Sequence, residues 1–113
     1  MKPGDIVLIR FPQTDLQAGK LRPACVVAVA SGRHADLLLA LITSQIQQAV
    51  PDFDEVIEVT DSDFAETGLK VRSAVRIARL ANVESDVINA RLGSISPERL
   101  EKIKKRLLEW LEK

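Results

Sequence analysis

The chain has 113 residues, 46% of them apolar, and its 16 basic residues balance 16 acidic ones for a formal net charge of zero. That length suits one domain, residues 1–113, with a single hydrophobic core, and the apolar fraction excludes a disordered chain. Neutral charge excludes a broad electrostatic footprint for nucleic acid but leaves room for a local basic cleft.

Taken in chain order, residues 5 to 11 read as a first strand, and Pro12 to Lys20 as an exposed connecting loop rich in polar and turn-forming residues. Residues 22 to 30 and 36 to 43 are near-continuous β-branched and aliphatic runs, as expected of strands buried on both faces. Ser31-Gly32-Arg33-His34 between them predicts a tight turn. Residues 45 to 54 turn polar and hold Pro51, a loop, before a short strand over 55 to 59. Asp61 to Gly68 predicts one helical turn, capped at its start by Asp61 or Ser62 and ended by glycine. Alternation over 72 to 80 predicts a half-buried strand, and 87 to 95 a further short one.

The C-terminal segment predicts a helix, with Ser96 as N-cap and Pro97 at the first helical position. Leu100, Ile103, Leu107, Trp110 and Leu111 recur at helical spacing as its apolar face. Lys102, Lys104, Lys105 and Arg106 fill a solvated face, balanced by Glu98, Glu101, Glu109 and Glu112. Many short strands and one terminal helix predict a mainly β fold, a small barrel or curled sheet with the helix packed on it.

The opening segment, Met1 to Asp5, leads straight into a short strand and is unlike a signal peptide; the longest apolar run, Leu37 to Ile42, is too short to span a bilayer. A cytoplasmic protein without membrane contact is the expectation. The lone Cys25 reads as a small buried apolar residue in a reducing compartment.

Most catalytic constellations are absent. The single histidine, His34, falls in a turn; there is no second histidine or cysteine for a zinc site, no P-loop and no GxGxxG, so no metal and no cofactor is expected. Asp52, Asp54, Asp61 and Asp63 read as solvated loop and helix-capping residues. What remains is arginine and hydroxyl chemistry. Pro23 restricts the backbone of Arg22, and Thr43 and Ser44 end the third strand. If strands two and three form a hairpin through Ser31-Gly32, residues 22 and 43 meet at its open end. A guanidinium beside a hydroxyl is a phosphate clamp, since the planar fork donates two hydrogen bonds to phosphate oxygens. The alternative is that Arg22 pairs with Asp15 or Asp5 and Thr43-Ser44 merely ends a strand.

Gly4-Asp5-Ile6-Val7-Leu8, Phe11-Pro12 with Thr14-Asp15, Gly19-Lys20-Leu21-Arg22-Pro23-Ala24 and Leu41-Ile42-Thr43-Ser44-Gln45 together resemble the PemK/MazF family, the toxin halves of toxin–antitoxin pairs. Thr67-Gly68-Leu69, Ser73-Ala74-Val75-Arg76 and the helix after Ser96-Pro97 extend the resemblance over nearly the whole chain. It implies an SH3-like small β barrel with a C-terminal α-helix, usually a homodimer. It also implies a metal-independent endoribonuclease that cuts single-stranded RNA at short sequences and is neutralised by a cognate antitoxin protein. In that family the ribose 2′-hydroxyl attacks the adjacent phosphate, leaving a 2′,3′-cyclic phosphate and a 5′-hydroxyl.

The resemblance makes Arg22 and Thr43 the catalytic positions. It makes Phe11, Gln13, Thr14, Lys20, Ser44, Gln45 and Arg76 substrate-binding positions, with the Pro12 to Leu21 loop bordering both RNA and antitoxin. Where some relatives carry an aspartate two positions after the arginine matched by Arg76, this chain has Ala78. The competing readings are a gyrase-poisoning toxin of the CcdB kind on the same barrel, and a catalytically silent binding module.

Overall fold

Runs of β-branched and aliphatic residues separated by turns build one antiparallel sheet in the computed structural model, which describes residues 1–10, 20–33 and 35–113. Its strands are β1 (Asp5–Ile9), β2 (Arg22–Ala30), β3 (Asp36–Thr43), β4 (Glu55–Ile57), β5 (Ser73–Glu84) and β6 (Ala90–Ser94). The described residues also form two α-helices, α1 (Phe64–Thr67) and α2 (Pro97–Leu111), besides short 3₁₀ turns. The strand order is β4-β5-β3-β2-β1-β6, so the sheet curls into a half-barrel whose edges, β4 and β6, do not pair with each other.

The central strands are buried on both faces, as their continuous apolar runs predict. On one face Ile6, Cys25, Val27, Ala40, Ile42, Val75 and Ile77 form a core that α2 closes with Ile103 and Leu107. On the other, Val7, Ile9, Ala24, Val26, Leu37 and Leu39 form a second core, against which Val83 and Ile88 pack. Full burial of a side chain such as Ile103 stabilises by roughly 1.5–3 kcal/mol, so α2 is held mainly by what its apolar stripe covers.

Helix α1 packs against the edge strand β6. Gly68 ends it in the left-handed conformation (φ 74°), and a Cβ there would lie 2.3 Å from the Leu92 carbonyl oxygen. A Cβ on Gly93 of β6 would lie 2.0 Å from the Glu66 carbonyl oxygen. The α1 segment and the β6 backbone therefore touch at two glycines.

Several expectations need correction. The strand foreseen over 55 to 59 stops at Ile57, and that over 72 to 80 runs on to Glu84, because its continuation pairs with β3 as far as Asp36↔Glu84. At α1 the N-cap is Asp63, and it makes no side-chain capping bond; Asp61 instead accepts from the Glu58 backbone N–H at 2.9 Å. Ser96 caps α2 as foreseen, accepting from the Arg99 N–H at 3.2 Å, with Pro97 in the first turn. Trp110 and Leu111, read as part of the apolar face, are 41% and 64% exposed; Trp110 packs edge-on against Phe53, ring centroids 5.8 Å apart.

The acidic stretch is solvated only in part: Asp52 is exposed. Asp54 and Asp63 are buried, and the arginines that meet them come from distant strands and helices. Arg99 of α2 is the hub. Its Nη1 donates to Glu55 at 2.7 Å and to the Val56 carbonyl at 2.9 Å, its Nη2 to Asp61 and Asp63, and its Nε to Asp63 at 2.9 Å. Arg106, expected on the solvated face, also reaches Glu55, at 2.9 Å. Asp63 accepts in addition from the Ser96 N–H. Hydrogen bonding to Arg99 holds the Asp63 carboxyl down at about 2, against an ordinary 3.8.

Candidate functional site

Opposed residues in antiparallel strands share a face of the sheet. Arg22 opens β2 opposite Ile9 of β1, on the face that α2 leaves uncovered. The β2–β3 register runs to Ala24↔Leu41, one residue past Pro23, which has no N–H to offer a ladder. Continued by two residues on each strand, that register would set Arg22 opposite Thr43 at the open end of the hairpin. Thr43 in turn lies opposite Ala74 of β5, two residues before Arg76, so Arg22, Thr43 and Arg76 rise from one face of three neighbouring strands. All three are half-buried. With strands about 4.8 Å apart, a row of this kind spans roughly 10 Å, the scale of one or two phosphate groups.

Hydrogen bonds fix the middle and one end of the row. The Thr43 hydroxyl oxygen accepts from the Gln45 N–H at 3.1 Å, which leaves its own proton to be donated. Gln48, in the 3₁₀ turn Ile46–Gln48, donates its amide to Gln45 Oε1 at 3.0 Å. Arg76 donates Nη1 to Gln48 Oε1 at 3.4 Å and Nε to Asp54 Oδ2 at 2.8 Å. Asp54 is anchored by the backbone N–H groups of Val50 (2.9 Å) and Ile77 (2.8 Å). An aspartate from the loop before β4 thus sits on Arg76, in a chain where position 78 is alanine.

Ser44, Gln45 and Lys20 are exposed at the same end of the strands. Phe11, Gln13 and Thr14 lie outside the described residues, as does Asp15, one of the acids considered for Arg22; the other, Asp5, holds Arg91 at 3.2 Å. Sequence reading missed Gln48 and Asp54, whose links to Arg76 span 28 and 22 positions. Cys25 is fully buried, and burial pushes its thiol up to about 12, an inert group.

Elsewhere on the surface, a groove of about 850 Å³ runs between α2 and the β2–β3 pair, lined by Val27, Ala28, Leu38, Leu107 and Leu108. It is apolar with a rim of mixed charge and brings no reactive groups together. Among the described residues no three His, Cys, Asp or Glu side chains converge as metal ligands. Nor, among them, is any helix long and apolar enough to cross a membrane.

The model of the PemK-like, MazF-like toxins of type II toxin–antitoxin systems matches residues 2–111. The chain belongs to this family. The fold agrees. A mycobacterial endoribonuclease in complex with its cognate antitoxin superposes with a TM-score of 0.68 at 16% identity, covering 99% of this chain and 95% of that one. A second mycobacterial endoribonuclease superposes with a TM-score of 0.63 at 17% identity, covering 99% and 91%. No curated protein matches in sequence. The half-barrel with its C-terminal helix is therefore the fold of PemK/MazF-like toxins, a family that cleaves RNA.

Proposed function

We propose that this family member is an active ribonuclease toxin whose cutting site is the row Arg22–Thr43–Arg76. The observation that carries the reading is the placement of Arg22, Thr43 and Arg76 on one face of three adjacent strands, with the Thr43 oxygen accepting from the Gln45 N–H and its proton left to donate. The substrate is single-stranded RNA. The ribose 2′-oxygen bonds to phosphorus, the bond from phosphorus to the 5′-oxygen breaks, and the 2′-proton lost is matched by the proton the 5′-oxygen gains. The products are a 2′,3′-cyclic phosphate and a 5′-hydroxyl.

The transition state concentrates negative charge on the phosphoryl oxygens, and fixed donors aimed there lower the barrier most. Arg22 supplies a permanent cation and a two-pronged donor, and also faces the leaving oxygen. Thr43 donates to a phosphoryl oxygen, which can only accept, while the Gln45 N–H holds the hydroxyl oxygen in place. Arg76, with Asp54 on Nε, binds a flanking phosphate. Lys20, Ser44 and Gln45 line the path of the strand, and the family resemblance adds Phe11, Gln13 and Thr14 as substrate-binding positions. No step requires a metal ion. Because net charge is zero, RNA affinity comes from this local row, and its salt dependence is that of a few phosphate contacts rather than many. A homodimer, a cognate antitoxin that covers the RNA-binding side, and a cytoplasmic location complete the proposal.

The test is incubation of purified protein with single-stranded RNA in EDTA, with analysis of the product ends. Cyclic phosphate and 5′-hydroxyl ends are the expected result. RNA left intact by folded protein overturns the proposal, and gyrase-dependent DNA breaks in place of RNA cleavage would move the assignment to a gyrase poison.

A further inference from the structure

The hydrogen bonds around Gln48 transmit the orientation of one side chain to the next. A guanidinium carries donors only, so the Gln48 amide must turn its oxygen to Arg76. Its NH₂ group then faces Gln45, which can meet it only with its own carbonyl oxygen. The Gln45 NH₂ is thereby the end turned away from Gln48. The order of the chain starts from a fixed point: Arg76 has only 16% of its side chain exposed, and its Nε is locked to Asp54, which is 1% exposed. Gln45 and Gln48 are both exposed, next to Thr43 in the row.

We infer that Gln48 is a specificity-determining residue, which positions Gln45 as a hydrogen-bond donor toward the RNA base beside the scissile phosphate. This rests on the ribonuclease reading above. An unconstrained glutamine flips its amide and meets donor and acceptor edges alike. A glutamine that presents its NH₂ favours the keto oxygens, O6 of guanine and O4 of uracil, over the amino groups that stand at the same positions in adenine and cytosine. One such directed amide is worth a preference of roughly five- to tenfold at one position.

The substitutions Gln48→Glu and Gln48→Met separate this role from a structural one. A carboxylate at position 48 still accepts from Arg76 but has no donor for Gln45, so Gln45 turns its NH₂ inward and shows its oxygen outward. Methionine releases Gln45 altogether. Wild type and both variants are given a randomised single-stranded RNA pool in EDTA, and the cut ends are sequenced. The expected result is a preference for keto bases at one flanking position in wild type, its loss in Gln48→Met, and its inversion toward adenine or cytosine in Gln48→Glu. An unchanged base profile in both variants overturns the inference, even if their overall rate falls. Failure of wild type to cut at all removes the ribonuclease reading and this inference with it, and is recognisable because no variant comparison arises.

Discussion

Replacing Arg99 with methionine keeps an unbranched apolar stem and removes every hydrogen bond that the guanidinium makes. Glu55 and Asp63, 8% and 10% exposed at their side chains, lose a guanidinium; Asp61, at 34%, loses less. Glu55 keeps Arg106 and Asp63 keeps the Ser96 N–H, so neither is stranded completely. Breaking a buried charge network from one side costs about 3–5 kcal/mol, a large share of the roughly 5–15 kcal/mol that holds a domain together. The assay is urea unfolding at pH 7, where the midpoint should fall with an unchanged m-value.

Its pH dependence carries a second signature. Because the folded-state value for Asp63 lies near 2, below its ordinary 3.8, its contribution is complete above about pH 4 and is lost as pH falls toward 2. Allowing for solvent screening, that part is about 1–2 kcal/mol. The gap between wild type and Arg99→Met should therefore narrow over that window. A loss below about 1 kcal/mol at pH 7, or a gap constant from pH 5 to pH 2, would refute the reasoning, since a desolvated network cannot be both intact and energetically silent.

Two further outcomes follow from the geometry. Thr43→Val keeps the β-branched shape that suits the strand end and removes the donor hydroxyl, so kcat for RNA cleavage should fall about 10²-fold with the melting temperature nearly unchanged; a rate within threefold of wild type would exclude a phosphoryl contact. Gly93→Ala drives a Cβ into the Glu66 carbonyl, a backbone atom that cannot swing aside, and should destabilise by about 3 kcal/mol in denaturant unfolding; a neutral effect would show that α1 does not rest on β6.

The placement of Arg22 at the start of β2 and Thr43 at the end of β3 was legible because both residues terminate long apolar runs joined by one turn. The C-terminal helix was legible from Ser96-Pro97 and from Leu100, Ile103 and Leu107. Asp54 and Asp63 were not, since an acid in a polar segment looks solvated until its partner is known, and Arg99 lies 36 positions from Asp63. The same holds for Gln48, an exposed residue in a loop whose meaning comes from Arg76 across the sheet. The family's SH3-like barrel was the expectation; the packing of α1 on β6 depends on two backbone contacts, at Gly68 and Gly93, which no periodicity announces.

The central claim is that Arg22 meets the scissile phosphate of RNA. Its most direct test is the cleavage rate of Arg22→Ala beside wild type on one single-stranded RNA in EDTA, with unfolding curves of both proteins measured in the same buffer. A drop of at least about 10²–10³-fold in rate, with a folded variant, is predicted. A folded Arg22→Ala that cuts at close to the wild-type rate would contradict the claim.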